Sequence, residues 1–221
     1  MKGIFITVEG SEGSGKTSLI QGLLPLLAER SNALVMTTRE PGGIPLAERI
    51  RDIILDLQSE EMDEKTESLL FAASRREHLV KKILPALEEG KLIIADRFVD
   101  SSLAYQGVGR GLGIETIAAL NAFVTEGLEP DLTLYLDLKP KEGLARIQQN
   151  RANEVNRLDL LGLKFHQKVH VGYLKIAKEN PQRVVVINAQ QALAKVIADC
   201  FEVIIHRFPK LFKEKSSDNL K

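Results

Sequence analysis

The chain has 221 residues, 44% of them hydrophobic and 27% charged, so it is long enough for one large domain and too apolar in its bulk for intrinsic disorder. Thirty Lys and Arg balance thirty Asp and Glu, which leaves no whole-molecule field to attract nucleic acid or an anionic membrane surface. No apolar run reaches the length of a membrane span, and the lone cysteine, Cys200, has no intrachain disulfide partner, so the expectation is a cytoplasmic protein with neither membrane nor nucleic-acid partners.

Residues 3–8, GIFITV, are apolar at successive positions, the pattern of a strand covered on both faces. Next comes GSEGSGKT, Gly10 to Thr17, which fits G-x-x-x-x-G-K-[ST] between that strand and a helical pattern at 16–29. Gly10, Gly13 and Gly15 let the backbone point its amides inward, with Ser11, Glu12 and Ser14 between them, and the helix N-terminus adds partial positive charge. With Lys16 to reach the β and γ phosphates and Thr17 to hold Mg²⁺, the loop predicts a nucleoside triphosphate site.

A strand at 33–38 leads to Arg39, and the helical pattern at 45–58 carries Arg51. A guanidinium there can hold a phosphate through paired hydrogen bonds, although from spacing alone Arg51 reads as a solvated helix charge. In the long helical pattern at 63–89, Leu70, Ala73, Glu77, Val80 and Leu84 follow a three-and-four spacing and are predicted to face the core. Phe71 and Arg75, four apart, then fall on the opposite face, where they could stack on a base and donate to its carbonyl; a helix packed on both sides would instead make Phe71 core. Pro25 and Pro85 predict kinks in their helices.

The strand at 91–95 closes on Asp96, followed by Arg97, and the strand at 132–136 closes on Asp137. Either carboxylate could serve a metal; Asp96 is preferred because Arg97 stands beside it at the sheet edge where α/β proteins place ligands. In SSLAYQG, Ser102 and Gln106 are four apart with Tyr105 beside them, and the Gln106 amide can present a donor and an acceptor together. Helical patterns at 114–125, 141–150, 158–179 and 191–207 and a strand at 183–187 complete a strand–helix alternation, which predicts an α/β fold with five parallel strands. His166 and His170 are four apart without a third ligand and read as packing residues. The chain reads as one domain over residues 1–209 with a polar tail at 210–221.

Several of these segments occur together in one family. GSEGSGKTS, TREPGG (38–43), LLFAASR (69–75), DRF (96–98) and SSLAYQGVGRG (101–111), followed by a lid segment at about 143–159, closely resemble bacterial thymidylate kinases, and the resemblance spans residues 3–205. It implies a three-layer P-loop NTPase fold with a lid, and Mg²⁺-dependent transfer of the ATP γ-phosphoryl group to dTMP in a homodimer. By the same resemblance, Thr17 and Asp96 serve the metal, and Arg51 and Arg97 grip the acceptor phosphate with Arg39 close by. Phe71 and Arg75 take the thymine, Ser102 and Gln106 meet its edge, and Tyr105 packs under the sugar. Glu12 bonds the acceptor 3′-hydroxyl or steers the donor phosphates. Because the glycine loop carries Ser11, Glu12 and Ser14 and no arginine, the catalytic arginine is expected in the lid, which has Arg146, Arg151 and Arg157; Arg151 is the first choice and Arg157 the second. The chain departs from the family at Ser74 and Asn156, where Asp is frequent. The rivals are a kinase for another nucleoside or nucleoside monophosphate and a noncatalytic nucleotide-dependent switch.

Overall fold

Runs of β-branched and aliphatic residues form β1 (Ile4–Gly10), β2 (Val35–Arg39), β3 (Leu92–Asp96), β4 (Leu132–Asp137) and β5 (Val184–Asn188), all parallel and ordered β2-β3-β1-β4-β5. The structure, a computed structural model, describes residues 2–150 and 157–212. The helices are α1 (Lys16–Arg30), α2 (Pro45–Leu55), α3 (Glu64–His78), α4 (Leu84–Glu88), α5 (Val99–Ser102), α6 (Ile114–Thr125), α7 (Pro140–Asn150), α8 (Leu163–Glu179) and α9 (Leu193–Arg207). None is long and apolar enough to cross a membrane.

Alternate residues of each central strand enter different cores, which explains their unbroken apolar character. Ile6, Val8, Leu92, Ile94 and Leu134 meet Leu19, Leu23 and Leu27 of α1 and Cys200 and Ile204 of α9. Phe5, Ile93 and Ala95 meet Leu79, Ile83 and Phe98 on the other face. Burying each such large side chain stabilises the fold by about 1.5–3 kcal/mol. The expected sheet is therefore observed, and each strand lies within two residues of its predicted limits.

The long helical pattern at 63–89 needs two corrections. Asp63 caps α3 by accepting from the Lys65 and Thr66 amides, but residues Leu79–Ile83 wind as a π-helix before α4. Pro85 then sits in the first turn of α4, where its missing N–H is tolerated. The predicted core stripe is also displaced: Ala73 and Val80 are exposed, whereas Glu67, Ser74, Arg75 and His78 are buried with Leu79 and Ile83. The inward face of α3 is polar because its partners there are themselves polar, so apolar spacing marked the wrong face. By contrast, α1 runs unbroken through Pro25 to Arg30.

A second π-helical stretch, Leu103–Gly109, follows α5 and buries Ala104, Tyr105 and Gln106. At the C-terminal side, the Asn32 amide donates to Leu211 O and the buried Phe212 joins the α1–α9 core, so Leu211 and Phe212, within the segment expected as a tail, pack with the body.

Candidate active site

Register brings the functional residues to one edge of the sheet. Val8 and Arg39 both align with Asp96, so β2 and β3 end level while β1 runs two residues further to Gly10, and the segments leaving them meet at one edge. Outside these ends lies a cleft of about 1470 Å³, lined by the glycine loop, Arg39, Arg51, Phe71, Arg75, Asp96, Arg97, Ser102, Tyr105 and Gln106. That edge is where open α/β sheets bind ligands.

One side of the cleft is the loop 10–17. Gly10, Gly13 and Gly15 have φ of 154°, 71° and 91°, and the latter two lie in the left-handed region that favours glycine. Gly13 is also needed for space: a Cβ there would lie 2.2 Å from Gly143 O, and a Cβ on Gly143 would lie 2.2 Å from Glu12 O. Backbone contact thus docks α7, the helix entering the lid segment, directly onto the loop. Lys16 Nζ donates to Gly10 O and Ser11 O at 3.0 and 3.2 Å.

Among the described residues, Ser11 Oγ, Ser14 Oγ and Asp96 Oδ1 are buried without a hydrogen-bond partner, and Thr17 Oγ1 lies 3.5 Å from Asp96 Oδ2. Polar atoms orphaned in this way fit a cradle for phosphate oxygens and a hard cation. Asp137, the other strand-end carboxylate, is bonded to His170 Nε2 at 2.7 Å.

Arg97 occupies the opposing side. Its φ of 73° is unusual for a side chain with a Cβ. The conformation is held by Arg97 N–H donating to Val8 O at 3.0 Å and Phe98 N–H donating to Glu9 Oε1 at 2.7 Å. The guanidinium donates to Gly10 O, Ser101 Oγ and Tyr173 OH at 3.0–3.2 Å, to Glu12 Oε1 at 2.7 Å and to Tyr105 OH at 3.3 Å. Burial would raise the Glu12 pKa, but Arg97 and Lys16 hold it down to about 2, so this carboxylate is ionised and only accepts. Arg51 Nη1 donates to Pro41 O at 2.9 Å, and burial together with the charges of Arg39 and Arg97 lowers its pKa. Arg39 forks onto Glu48 at 2.8 and 3.0 Å. Several cations facing one cleft create a positive field for an anion.

Arg75 is buried and heavily committed. It donates to Glu40 Oε2 at 2.7 Å, Ser102 Oγ at 3.0 Å, Phe98 O at 3.0 Å and the Asn121 side-chain carbonyl. Among the described residues, one of its five guanidinium hydrogens, on Nη2, has no partner. Phe71 is half-buried at the cleft wall. Among the lid residues, Arg146 lines the cleft and donates to Ala189 O at 3.2 Å, and Arg151 lies outside the described residues. Arg157 is buried, donating to Glu67 Oε2 at 2.5 Å and Ile54 O at 2.9 Å, so it joins the wall behind the cleft rather than the glycine loop.

Sequence reasoning missed Glu9, Glu40, Glu67, Ser101 and Tyr173, which support the site from behind. Glu9 is wholly buried, and its Oε2 accepts from Ser101 Oγ at 2.6 Å and Tyr173 OH at 2.9 Å. Only the position of Glu9 next to the glycine loop could have signalled it. Burial, reinforced by Asp100 and opposed by Arg97, raises its pKa from 4.5 to about 7. A carboxyl raised in the fold keeps its proton where the unfolded chain has lost it, so this contribution to stability is lost as pH rises from about 4.5 to 7. Glu9→Gln removes the titration, whereas Glu12, depressed in the fold, titrates in both proteins and cancels. In urea melts, wild-type stability relative to E9Q is expected to fall by about 3 kcal/mol between pH 4.5 and 8. Parallel pH curves for the two proteins would rule out a raised Glu9.

Comparison with known proteins adds three findings. A family model described as thymidylate kinase matches residues 8–199. A thymidylate kinase from Enterococcus faecalis (strain ATCC 700802 / V583) is 56% identical over 212 residues, 96% of this chain and 100% of that protein. The crystal structure of thymidylate kinase from Ehrlichia chaffeensis superposes with a TM-score of 0.73 at 34% identity, covering 92% of this chain and 99% of the other.

Proposed function

The chain belongs to the thymidylate kinase family, and from that premise we infer that it is a nucleoside monophosphate kinase that converts dTMP to dTDP with ATP as the phosphoryl donor. One observation carries the reading: the amide-lined glycine loop and the Arg97 and Arg51 guanidinium groups face a single cleft. Such a cleft can hold two phosphorylated ligands end to end.

The loop amides and Lys16 hold the donor phosphates. Thr17 and Asp96 would hold Mg²⁺, and the unpartnered Asp96 Oδ1 fits that role; when bound, the ion neutralises charge on the transferring group. Arg97 and Arg51, with Arg39 at the rim, hold the acceptor phosphate. Phe71 stacks on the base, the last Arg75 hydrogen meets a base carbonyl, Ser102 and Gln106 meet its edge, and Tyr105 lies under the sugar. The ionised Glu12 accepts from the acceptor 3′-hydroxyl or orients the donor phosphates. Because the attacking oxygen already belongs to a phosphate, no general base is needed, and positioning and charge neutralisation carry the barrier. Arg151 supplies the lid arginine, because Arg157, the second choice on sequence, is committed to Glu67 and Ile54 O behind the cleft.

The decisive measurement is coupled ADP release with dTMP, dUMP, dCMP and nucleosides as acceptors. Turnover is expected with dTMP; turnover with dCMP and none with dTMP would overturn the substrate, and ATP binding without acceptor-stimulated transfer would indicate a switch. The proposed assembly is a homodimer, supported by the exposed Ile53, Leu69 and Phe123 on α2, α3 and α6; sedimentation equilibrium should give the mass of two chains. The proposed location is the cytoplasm, whose reducing conditions suit the unpaired Cys200 thiol, which burial pushes up to about 12 and keeps inert.

A further inference from the structure

We propose that Glu67 is a specificity-determining positioning residue, which turns the Gln106 carbonyl into the cleft and so selects a base bearing a ring N–H on its pairing edge. The proposal rests on the thymine slot inferred above. Glu67 is fully buried in the first turn of α3. Its Oε1 accepts from Gln106 Nε2 at 2.9 Å and Arg110 Nε at 3.2 Å, and its Oε2 accepts from Arg110 Nη2 at 2.7 Å and Arg157 Nη2 at 2.5 Å.

Burial would raise its pKa, but hydrogen bonds from Arg110 and Gln106 and the adjoining arginine charges lower it. The group is therefore a carboxylate at neutral pH and offers acceptors only. Next to it, the Gln106 amide has one favourable orientation, with NH₂ toward Glu67 and the carbonyl oxygen away. Gln106 lines the cleft, and among the described residues its carbonyl oxygen has no protein partner. The reverse orientation would set two acceptors against each other in a buried place.

What Gln106 offers a base is thus an acceptor. Thymine and uracil carry N3–H, which that oxygen accepts. Cytosine carries a lone pair at N3, which it repels. Glu67 touches no ligand in this scheme and acts by fixing which end of the amide the ligand meets.

The test measures kcat/KM for dTMP and dCMP with the full-length wild type, Glu67→Gln and Glu67→Asp. In E67Q, Arg110 and Arg157 keep the new amide oxygen at the Oε2 position. The new NH₂ then takes the Oε1 position, giving up the weaker bond from Arg110 Nε, and Gln106 turns its own NH₂ to the cleft. The dTMP-to-dCMP ratio is expected to fall by about tenfold or more in E67Q, while E67D, still an acceptor, keeps it within about threefold of wild type. A generally loosened fold would lower both substrates together and leave the ratio in place. A smaller fall in E67Q, or an equal fall in E67D, overturns the inference. Wild type that phosphorylates no dTMP overturns instead the reading on which it rests. If E67Q does not fold, the unchanged protein carries the test by NMR. The Gln106 side-chain amide hydrogens are expected to exchange with solvent at least about tenfold more slowly than those of an exposed glutamine, with and without dTMP. Unprotected exchange overturns the proposal.

Discussion

Replacing Lys16 by Ala is expected to lower kcat for dTMP by about 10³, because a preorganised cation aimed at transition-state charge is worth about 3–4 kcal/mol in a water-poor site. The side chain is buried, and its Nζ lies over the loop on Gly10 O and Ser11 O. Burial and the neighbouring Arg97 disfavour its charged form, while Glu12, Asp96 and Glu9 favour it. The flexible stem lets the ammonium leave two carbonyls for phosphate oxygens with little rearrangement. Removing it loses two hydrogen bonds and the attractions to Glu12, Asp96 and Glu9 but relieves a buried charge and its repulsion with Arg97, so the net stability change is expected to stay within about 2 kcal/mol. Single-turnover transfer, with a thermal melt as control, separates these effects. A kcat within tenfold of wild type in a folded K16A would mean that phosphate charge is handled elsewhere, with Arg97 and the lid arginines as the candidates.

The contrast between Lys16 and Glu67 shows what the sequence could reveal. Lys16 belongs to a local motif: eight consecutive residues fix both its backbone setting and its job. The strands were similarly legible, because burial on both faces writes itself as a continuous apolar run. Glu67 has no local signature, Glu40 lies within TREPGG with nothing local to assign its partners, and Glu9 is marked only by its place beside the glycine loop. Glu67 is defined by Gln106, Arg110 and Arg157, and Glu40 by Arg75 and His78. These are long-range pairings that no window of sequence contains. The same physics misplaced the core stripe on α3. Apolar periodicity assumes that the inward face is greasy, but a helix backing a ligand cleft turns inward the polar groups that hold the recognition residues, and each is matched by a partner from another segment. The π-helical stretch at Leu103–Gly109 was hidden for a related reason: a four-residue spacing pairs Ser102 with Gln106, both of which line the cleft, but says nothing of the wider turn between them.

Arg97→Ala is expected to reduce kcat/KM for dTMP by about 10²–10³ while the Kd for ATP changes by less than about threefold. The acceptor side loses a planar fork held in place by the left-handed backbone of residue 97, whereas the donor side keeps its loop amides and Lys16. A second consequence reaches Glu12. Its carboxyl is held at about 2 chiefly because Arg97 and Lys16 outweigh the effect of burial. Without Arg97 one of those two cations is gone and the burial remains, so the Glu12 pKa rises and the acid limb of the pH–rate profile moves to higher pH. The Glu12–Arg97 pair is largely shielded, with side chains 17% and 15% exposed, so the variant should also lose about 1–3 kcal/mol of stability, read as a lower urea midpoint. Arg97→Lys keeps a charge but not the fork, and should restore the acid limb more fully than it restores dTMP turnover. If R97A instead used dTMP with a KM within threefold of wild type, the acceptor phosphate would have to rest on Arg51 and Arg39, and Arg97 would serve only to hold Glu12 and the end of β1 together.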